Sequence, residues 1–325
     1  MSIAMSAVYS HGDTSAGNYP GNKFLIYNGA IYLFAGNDVH KSTTGQSGSW
    51  SEIDTNIAAD WIFDAIEFGG KMYVATGNDP GLVLSSANGT DWDIEETFTG
   101  YNLAVSLAVF NGYLYAGFAY EAGDYDLYRS SNGSDWSEVA SDLDGSIFAL
   151  HASSDYLYVG TGNGSIYRSS DGTTWGSPVQ SGLDTWVSEI GEGADGTLYA
   201  GTYTDGRIYT SSDGSTWTLK DDLHPDPEAP SWNILVVRAL AEATYVGTGH
   251  VNGTLYSTTD SGETYTEEWE NTGTDYGIND ITAFGGYILV STEDGKVYSS
   301  DDSGYELPSA GVPKSFPWER WNWSW

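Results

Sequence analysis

Cysteine is absent from the 325-residue chain, so neither a disulfide framework nor a thiolate metal site is available to it. Stability must therefore come from packing. The five histidines show no ligand spacing, and the sequence predicts neither a metal site nor a cofactor. No apolar run approaches the length of a membrane span, and the opening residues MSIAMSAVYSHGD lack the basic and apolar regions of a signal peptide.

Basic residues are scarce, because 11 Lys and Arg face 45 Asp and Glu and give a formal net charge of -34. A surface field of that sign repels nucleic acid and anionic membranes, so neither is expected as a partner. Only 17% of the residues are charged, so the imbalance comes from missing Lys and Arg. In this the chain resembles proteins of salt-accumulating archaea and their viruses, in which salt screens the self-repulsion. An acidic mesophilic surface protein is the alternative.

Glycine, tyrosine and tryptophan are abundant, with 41, 24 and 13 copies, which favours strands and tight turns. One phrase, an apolar residue followed by Tyr and small residues, recurs seven times with Leu in place of Tyr in the last copy. Its positions are Tyr32, Tyr73, Tyr115, Tyr158, Tyr199, Tyr245 and Leu289. The separations of 41 to 46 residues are typical of propeller blades.

Each unit has the same order of elements. A short alternating strand comes first, and a tight turn such as Asn28-Gly29 joins it to the strand that carries the repeat Tyr. A third strand ends in a second repeated motif, and the aromatic residue of that motif begins a fourth strand. Four strands in each of seven units predict an all-β, seven-bladed propeller over residues 23–307. Residues 1–22 form an N-terminal arm, part of which could add a strand to blade seven and close the ring. Residues 308–325 form a Trp-rich C-terminal tail.

The second phrase reads YRSSDGTTW at 167–175, with close copies at 84–92, 128–136 and 209–217 and a longer form, STTDSGETY, at 257–265. It resembles the Asp-box of sialidase-type (BNR) propellers, a hairpin between the third and fourth strands of a blade. The resemblance implies a structural role, because a motif present in each blade is not a unique site. The side chain at its Asp position can accept hydrogen bonds from the turn's own N–H groups. These positions are Asn88, Asn132, Asp171, Asp213 and Asp260.

Alternation along the innermost strand predicts which residues face the central channel. They are Lys23, Asp64, Ser106, Ala149, Glu189, Val236 and Asp280, joined by His151, Arg238 and Thr282. If the protein is an enzyme, Asp64, Glu189 and Asp280 are the carboxylates that this register offers for a glycosidase pair. A wet channel would be polar in any case, so we predict no catalytic residues. A sialidase would need three clamping arginines, and only Arg238 is suitably placed.

Aromatic residues stand just before five of the innermost strands, where a propeller places the mouth of its channel, on the face opposite the Asp-boxes. They are Trp61, Tyr101, Trp186, Trp232 and Tyr276. Flat rings flanked by polar groups can stack on sugars, so these residues are predicted to bind a ligand. The alternative is that each ring wedges between adjacent blades.

The C-terminal tail, PKSFPWERWNWSW, carries Trp318, Trp321, Trp323 and Trp325. The last three alternate with other residues, so an extended segment would place three indoles on one face. Such a patch must be covered. It either folds back onto the propeller or docks the protein to a larger assembly, because Trp is a preferred interface anchor.

The sequence favours a non-enzymatic binding or structural protein. The specific hypothesis is a spike or capsid-decorating subunit on the surface of a halophilic virus, docked to other virion proteins by its tail, with the aromatic mouth facing a host glycan or receptor. One alternative is a carbohydrate-active enzyme that uses the channel carboxylates. Another is a cellular interaction scaffold, placed extracellularly, at a cell surface or in the cytoplasm of a high-salt organism.

Overall fold

Twenty-seven β-strands and no helix make up the part of the chain that the computed structural model describes. The described residues are 3–10, 22–55, 57–77, 79–99, 103–119, 126–141, 143–183, 186–223, 233–249, 252–272 and 277–300. None of them belongs to a helix that could cross a membrane. The predicted seven-bladed all-β propeller is confirmed, since the strands form seven antiparallel sheets.

The first three blades each have four strands in sequence order from the inside out. Blade one contains β2 (Asn22–Tyr27), β3 (Ala30–Ala35), β4 (Asp38–Ser42) and β5 (Trp50–Asp54). Blade two contains β6 (Ile62–Phe68), β7 (Lys71–Thr76), β8 (Gly81–Ser86) and β9 (Asp93–Phe98). Blade three contains β10 (Leu103–Phe110), β11 (Tyr113–Ala119), β12 (Leu127–Ser130) and β13 (Trp136–Ala140).

Blade four is the irregular one. It contains β14 (Ile147–Ala152), β15 (Leu157–Thr161) and β16 (Ile166–Ser169), and a single bridge between Ile166 and Gln180 stands where the fourth strand would pair. The segment that carries this bridge includes Pro178, which has no N–H to donate to a ladder. Pro178 therefore cannot act as a donor in a fourth-strand ladder.

The remaining blades again have four strands each. Blade five contains β17 (Val187–Glu192), β18 (Leu198–Thr202), β19 (Arg207–Ser211) and β20 (Thr218–Asp222). Blade six contains β21 (Ile234–Leu240), β22 (Ala243–Thr248), β23 (Thr254–Thr258) and β24 (Thr266–Glu270). Blade seven contains β25 (Ile278–Phe284), β26 (Tyr287–Thr292), β27 (Lys296–Ser300) and, outermost, β1 (Met5–Ser10).

The ring is closed without a covalent link. The N-terminal strand β1 pairs antiparallel with β27, so the last blade is built from both ends of the described chain. The innermost strand β2 contacts β6 on one side and β25 on the other. Asn22 donates its amide to the carbonyl of Thr292 at 2.6 Å and accepts a bond from Ser291 Oγ at 2.8 Å. These contacts join blade one to blade seven.

The turns between third and fourth strands are held by their own side chains. In blade four, Asp171 Oδ1 accepts bonds from the N–H groups of Thr173 at 2.8 Å and Thr174 at 2.7 Å, and Ser169 Oγ accepts one from Gly172 at 2.9 Å. The bonds that Asp171 accepts from Thr174 and Thr173 hold the pKa of its carboxyl group below its usual range. Acceptors of backbone N–H bonds stand in the same place in four other blades, namely Asn88, Asn132, Asp213 and Asp260.

The glycine of each such turn lies against the repeat tyrosine of the preceding blade. A Cβ on Gly133 would collide with the hydroxyl of Tyr73, and a Cβ on Gly172 would collide with that of Tyr115. The same relation joins Gly89 to Tyr32, Gly214 to Tyr158 and Gly262 to Tyr199. The two repeated phrases are therefore halves of one contact between neighbouring blades, which explains their common period.

Candidate binding site in the central channel

The innermost strands surround a cavity of about 820 Å³. Six of these seven strands carry a β-bulge at the same place, which inserts one extra residue opposite the second strand. A bulge redirects side chains, so strict alternation fails there. Both Phe63 and its neighbour Asp64 line the cavity, as do both Phe148 and Ala149.

One end of the cavity, which we call its mouth, lies on the face opposite the 3–4 turns. In blade two, Ile62 at the start of β6 pairs with Thr76, whereas Ser86 at the end of β8 pairs with Met72 near the other end of β7. The same antiparallel order holds in the other blades, so residues that precede an innermost strand lie on the face away from these turns. Trp61 and Trp186 precede innermost strands and both line the cavity.

Trp186 lies at the mouth and stacks with two other aromatic rings. Its ring stacks with Phe148 at 4.7 Å between centroids and 8° between planes, and with Tyr203 at 4.9 Å and 26°. Tyr203 also donates its N–H to the carbonyl of Trp186 at 3.0 Å. Because Phe148 belongs to blade four, the indole packs between two blades, yet 42% of Trp186 stays exposed. Trp186 is therefore held between two blades while part of its side chain stays accessible.

Of the other four predicted mouth residues, one lies within the described part of the chain and three lie outside it. Trp61 is half-buried, and its carbonyl accepts the N–H of Gly77 at 2.7 Å. Tyr101, Trp232 and Tyr276 lie outside the described residues, and so do the tail residues Trp318, Trp321, Trp323 and Trp325. Phe63, Phe148 and Tyr203 were not predicted. Phe63 and Phe148 share one sequence signal, an aromatic directly after the first isoleucine of an innermost strand.

Two of the three candidate carboxylates join adjacent blades. Asp64 accepts the N–H of Ala65 with one oxygen and that of Leu107, in blade three, with the other, each at 2.8 Å. Asp280 makes the equivalent bonds with Ile281 and with Phe24, in blade one, each at 2.9 Å. Both carboxylates are thus inter-blade clamps that satisfy backbone donors beside a bulge.

The third carboxylate belongs to an ion-pair network. Arg238 of blade six binds Glu189 of blade five at 2.8 Å and Asp280 of blade seven at 3.3 Å. Burial lowers the pKa of Arg238, but the charges of Asp280, Glu189 and Asp64 outweigh burial and raise it overall. The guanidinium therefore stays charged and neutralises two carboxylates, although its side chain is 38% exposed to the channel.

Asp64 stands apart from this network. Among the described residues, no Lys or Arg lies within ion-pair distance of its carboxylate. Burial raises the pKa of Asp64 to about 6, and the charge of Lys23, the two N–H bonds and the charge of Arg238 offset that effect only in part. Asp64 therefore changes its charge near pH 6 inside the channel.

A separate group of side chains on blade one could hold a metal ion. Asp38 and His40 lie on one face of β4, and Glu52 pairs across from His40 on β5. One ligand atom from each lies within 4.8 Å of the others, and this is the one such group within the described ranges. Tyr9 from β1 hydrogen-bonds to His40 Nδ1 at 2.9 Å. Histidine spacing alone gave no sign of this group, because Glu52 reaches it across strands.

Neither a protein-family model nor a curated protein matches this sequence. Solved propellers resemble the fold. Virginiamycin B lyase from Staphylococcus aureus has a TM-score of 0.73 at 12% identity, over 91% of this chain and 98% of that chain. A structure of YCF48 bound to D1 peptide has a TM-score of 0.64 at 14% identity, over 94% and 97%. A chain of the mitotic checkpoint complex has a TM-score of 0.66 at 12% identity, over 93% and 92%. At these identities the likeness shows the fold alone.

Proposed function

We propose that this propeller is a non-enzymatic binding protein that takes its ligand at the mouth of the central channel. The observation that carries the proposal is Trp186. Its ring is held by Phe148 and Tyr203, and the residue is 42% exposed and lines a cavity of about 820 Å³. A rigid aromatic surface over a cavity with a few polar groups is the usual form of a ligand site.

The carboxylates of the channel support binding over hydrolysis. A glycosidase needs one carboxyl group as acid and another free to act as nucleophile or base. Here Asp280 is bonded to two N–H groups and to Arg238, and Glu189 is bonded to the same guanidinium. The lyase among the similar structures shows that propellers of this form can host an enzyme, but that activity belongs to that protein.

The ligand is proposed to be a glycan or a protein receptor. A sugar ring could stack on the exposed part of Trp186, and the similar YCF48 propeller is bound to D1 peptide in its solved structure. We also propose that the chain is an Asp-box propeller on a virion surface, docked by residues 308–325. The hydrogen bonds of the 3–4 turns support the first part, and the net charge of -34 supports a high-salt setting.

Glycan and peptide arrays probed with wild type and two variants test the proposal. Trp186→Ala should weaken binding of any captured ligand at least about tenfold, because it removes the exposed ring. Ile94→Ala is the matched control, since Ile94 is 54% exposed but lies on the outermost strand of blade two. It should bind as wild type does.

Two results would count against the proposal. If Trp186→Ala keeps the full binding profile, the mouth is not the site. If wild type hydrolyses a glycan and Asp64→Asn or Glu189→Gln abolishes that hydrolysis, the protein is an enzyme.

A further inference from the structure

We propose that the channel behind the aromatic mouth accepts a cationic group of the ligand, an alkylammonium or a guanidinium. This inference rests on the proposed function and names the chemistry that the same site recognises. It follows from the balance of charge in the channel, from one buried hydroxyl group and from the aromatic walls.

Carboxylates outnumber cations around the channel. The described charged and titratable groups there are Asp64, Glu189, Glu192, Asp280, Lys23, Arg238 and His151. Glu189 and Asp280 share Arg238, and Glu192 lies 3.5 Å from His151. Lys23 donates to the backbone carbonyl of Asn279 at 3.4 Å. Asp64 is thus the channel carboxylate without an ion pair among the described residues.

A second acceptor belongs to a residue that lines the same cavity as Asp64. Ser106 is 5% exposed, lines the cavity, and its Oγ has no hydrogen-bond partner within the described structure. The next residue, Leu107, donates its N–H to Asp64 at 2.8 Å, so Ser106 and Asp64 belong to adjacent blades of the same cavity wall. A buried hydroxyl without a partner is costly. An ammonium group has three donors and no acceptor, so it suits a wall that offers acceptors such as these.

The walls above these acceptors suit the rest of such a ligand. Trp61, Phe63, Phe148 and Trp186 line the same cavity, and cations are attracted to the faces of aromatic rings. Their apolar surface also suits the methylene stem of a lysine or arginine side chain. An anion would instead meet the unpaired charge of Asp64 and the field of a chain with net charge -34.

The charge state of Asp64 makes the inference testable by pH. Burial raises its pKa to about 6, so the carboxyl group is mostly protonated at pH 5 and mostly ionised at pH 7.5. If the cation binds the ionised form, its affinity should rise roughly tenfold over that interval. His151 also lines the cavity and lies 3.5 Å from Glu192, so His151→Gln serves as a control that should keep this dependence.

The test measures binding of three probes by isothermal titration calorimetry at constant ionic strength. The probes are n-butylammonium, a blocked peptide with one central lysine, and the same peptide with norleucine, which keeps the stem and removes the charge. The lysine peptide should bind at least about tenfold more tightly than the norleucine peptide at pH 7.5. Tight binding of butylammonium as well would indicate a free amine as ligand, and tight binding of the peptide alone would indicate a protein partner.

Three variants distinguish binding at the channel site from attraction by the overall negative charge of the protein. Asp64→Asn should abolish the pH dependence, and Ser106→Ala, which keeps the Asp64 clamp intact, should weaken lysine binding. Asp93→Asn removes one exposed carboxylate from the outermost strand of blade two and should change neither. Equal affinities for lysine and norleucine, or a lysine affinity insensitive to both pH and Asp64→Asn, would overturn the inference. If that happens while Trp186-dependent binding of another ligand persists, the proposed function stands without it.

Discussion

The contact between Gly172 and Tyr115 gives a sharp test of why the 3–4 turns carry glycine. Gly172 has a φ of +71°, and a Cβ added there would lie 2.7 Å from Cζ and 3.2 Å from Cε1 of Tyr115, with the hydroxyl closer still. Tyr115 is fully buried, so its ring cannot move without disturbing the packing between blades three and four. We therefore predict that Gly172→Ala is strongly destabilising.

The loss of stability expected for Gly172→Ala has two parts, which a control variant can separate. A left-handed backbone costs alanine about 1 to 2 kcal/mol, and forced displacement of a packed ring costs about 1 to 3 kcal/mol more. Gly182 has the same φ of +71°, but no atom lies within 4 Å of its added Cβ. Gly182→Ala should therefore lose only the backbone part. Unfolding in urea, followed by tryptophan fluorescence, measures both changes in the free energy of unfolding.

A double variant tests the same contact from the other side. Tyr115→Phe removes the hydroxyl that lies nearest to the added methyl group. In the Tyr115→Phe background, Gly172→Ala should cost at least about 0.5 kcal/mol less than it does in wild type, because the two residues touch. If Gly172→Ala and Gly182→Ala are equally destabilising and the double variant shows no coupling, the contact does not explain the glycine.

Two further predictions concern stability. The carboxyl pKa of Asp64 is raised to about 6 in the fold, so the folded state binds more protons than the unfolded state between about pH 4 and 6, and stability falls as pH rises through that window by up to about 3 kcal/mol. Asp64→Asn should remove this fall in urea unfolding measured at each pH, and parallel profiles would contradict the assignment. Deleting residues 1–10 removes β1, with its buried Ile3 and the stack of Tyr9 on Trp50, so amide exchange should accelerate in β27 and stay unchanged in β15. Equal protection of β27 in both proteins would show that β1 does not hold blade seven.

The period of the tyrosine phrase was sufficient to predict the number of blades, and the contact of Tyr73 with Gly133 explains why. Each blade must supply both a tyrosine and a turn glycine to its neighbours, so sequence and geometry repeat together. The last blade departs in a consistent way, since Leu289 replaces the tyrosine and lies 2.9 Å from an added Cβ on Gly45 of blade one. Leu in place of Tyr keeps an apolar contact at the same place, so the repeat still predicts seven blades.

The candidate site was less predictable because it depends on bulges and on contacts between blades. Alternation placed Asp64 in the channel, but it missed Phe63, which the bulge turns to the same cavity. It also could not show that Asp64 and Asp280 are bonded to the next blade, since Leu107 and Phe24 are distant in sequence. A period of two contains no information on where one extra residue is inserted.

A comparison of Asp64 with Asp280 separates the structural role of these carboxylates from a role in binding. Asp64 and Asp280 bind backbone N–H groups in the same way, so the need to satisfy those donors explains a carboxylate in both places. It does not explain why Arg238 pairs with Asp280 while Asp64 has no cation within ion-pair distance among the described residues. Burial destabilises the charged form of Asp64 and raises its pKa, and the charges of Lys23 and Arg238 offset that effect only in part. Such a local cost at one blade is expected where a ligand brings the missing charge, and the lysine and norleucine peptides test that expectation directly.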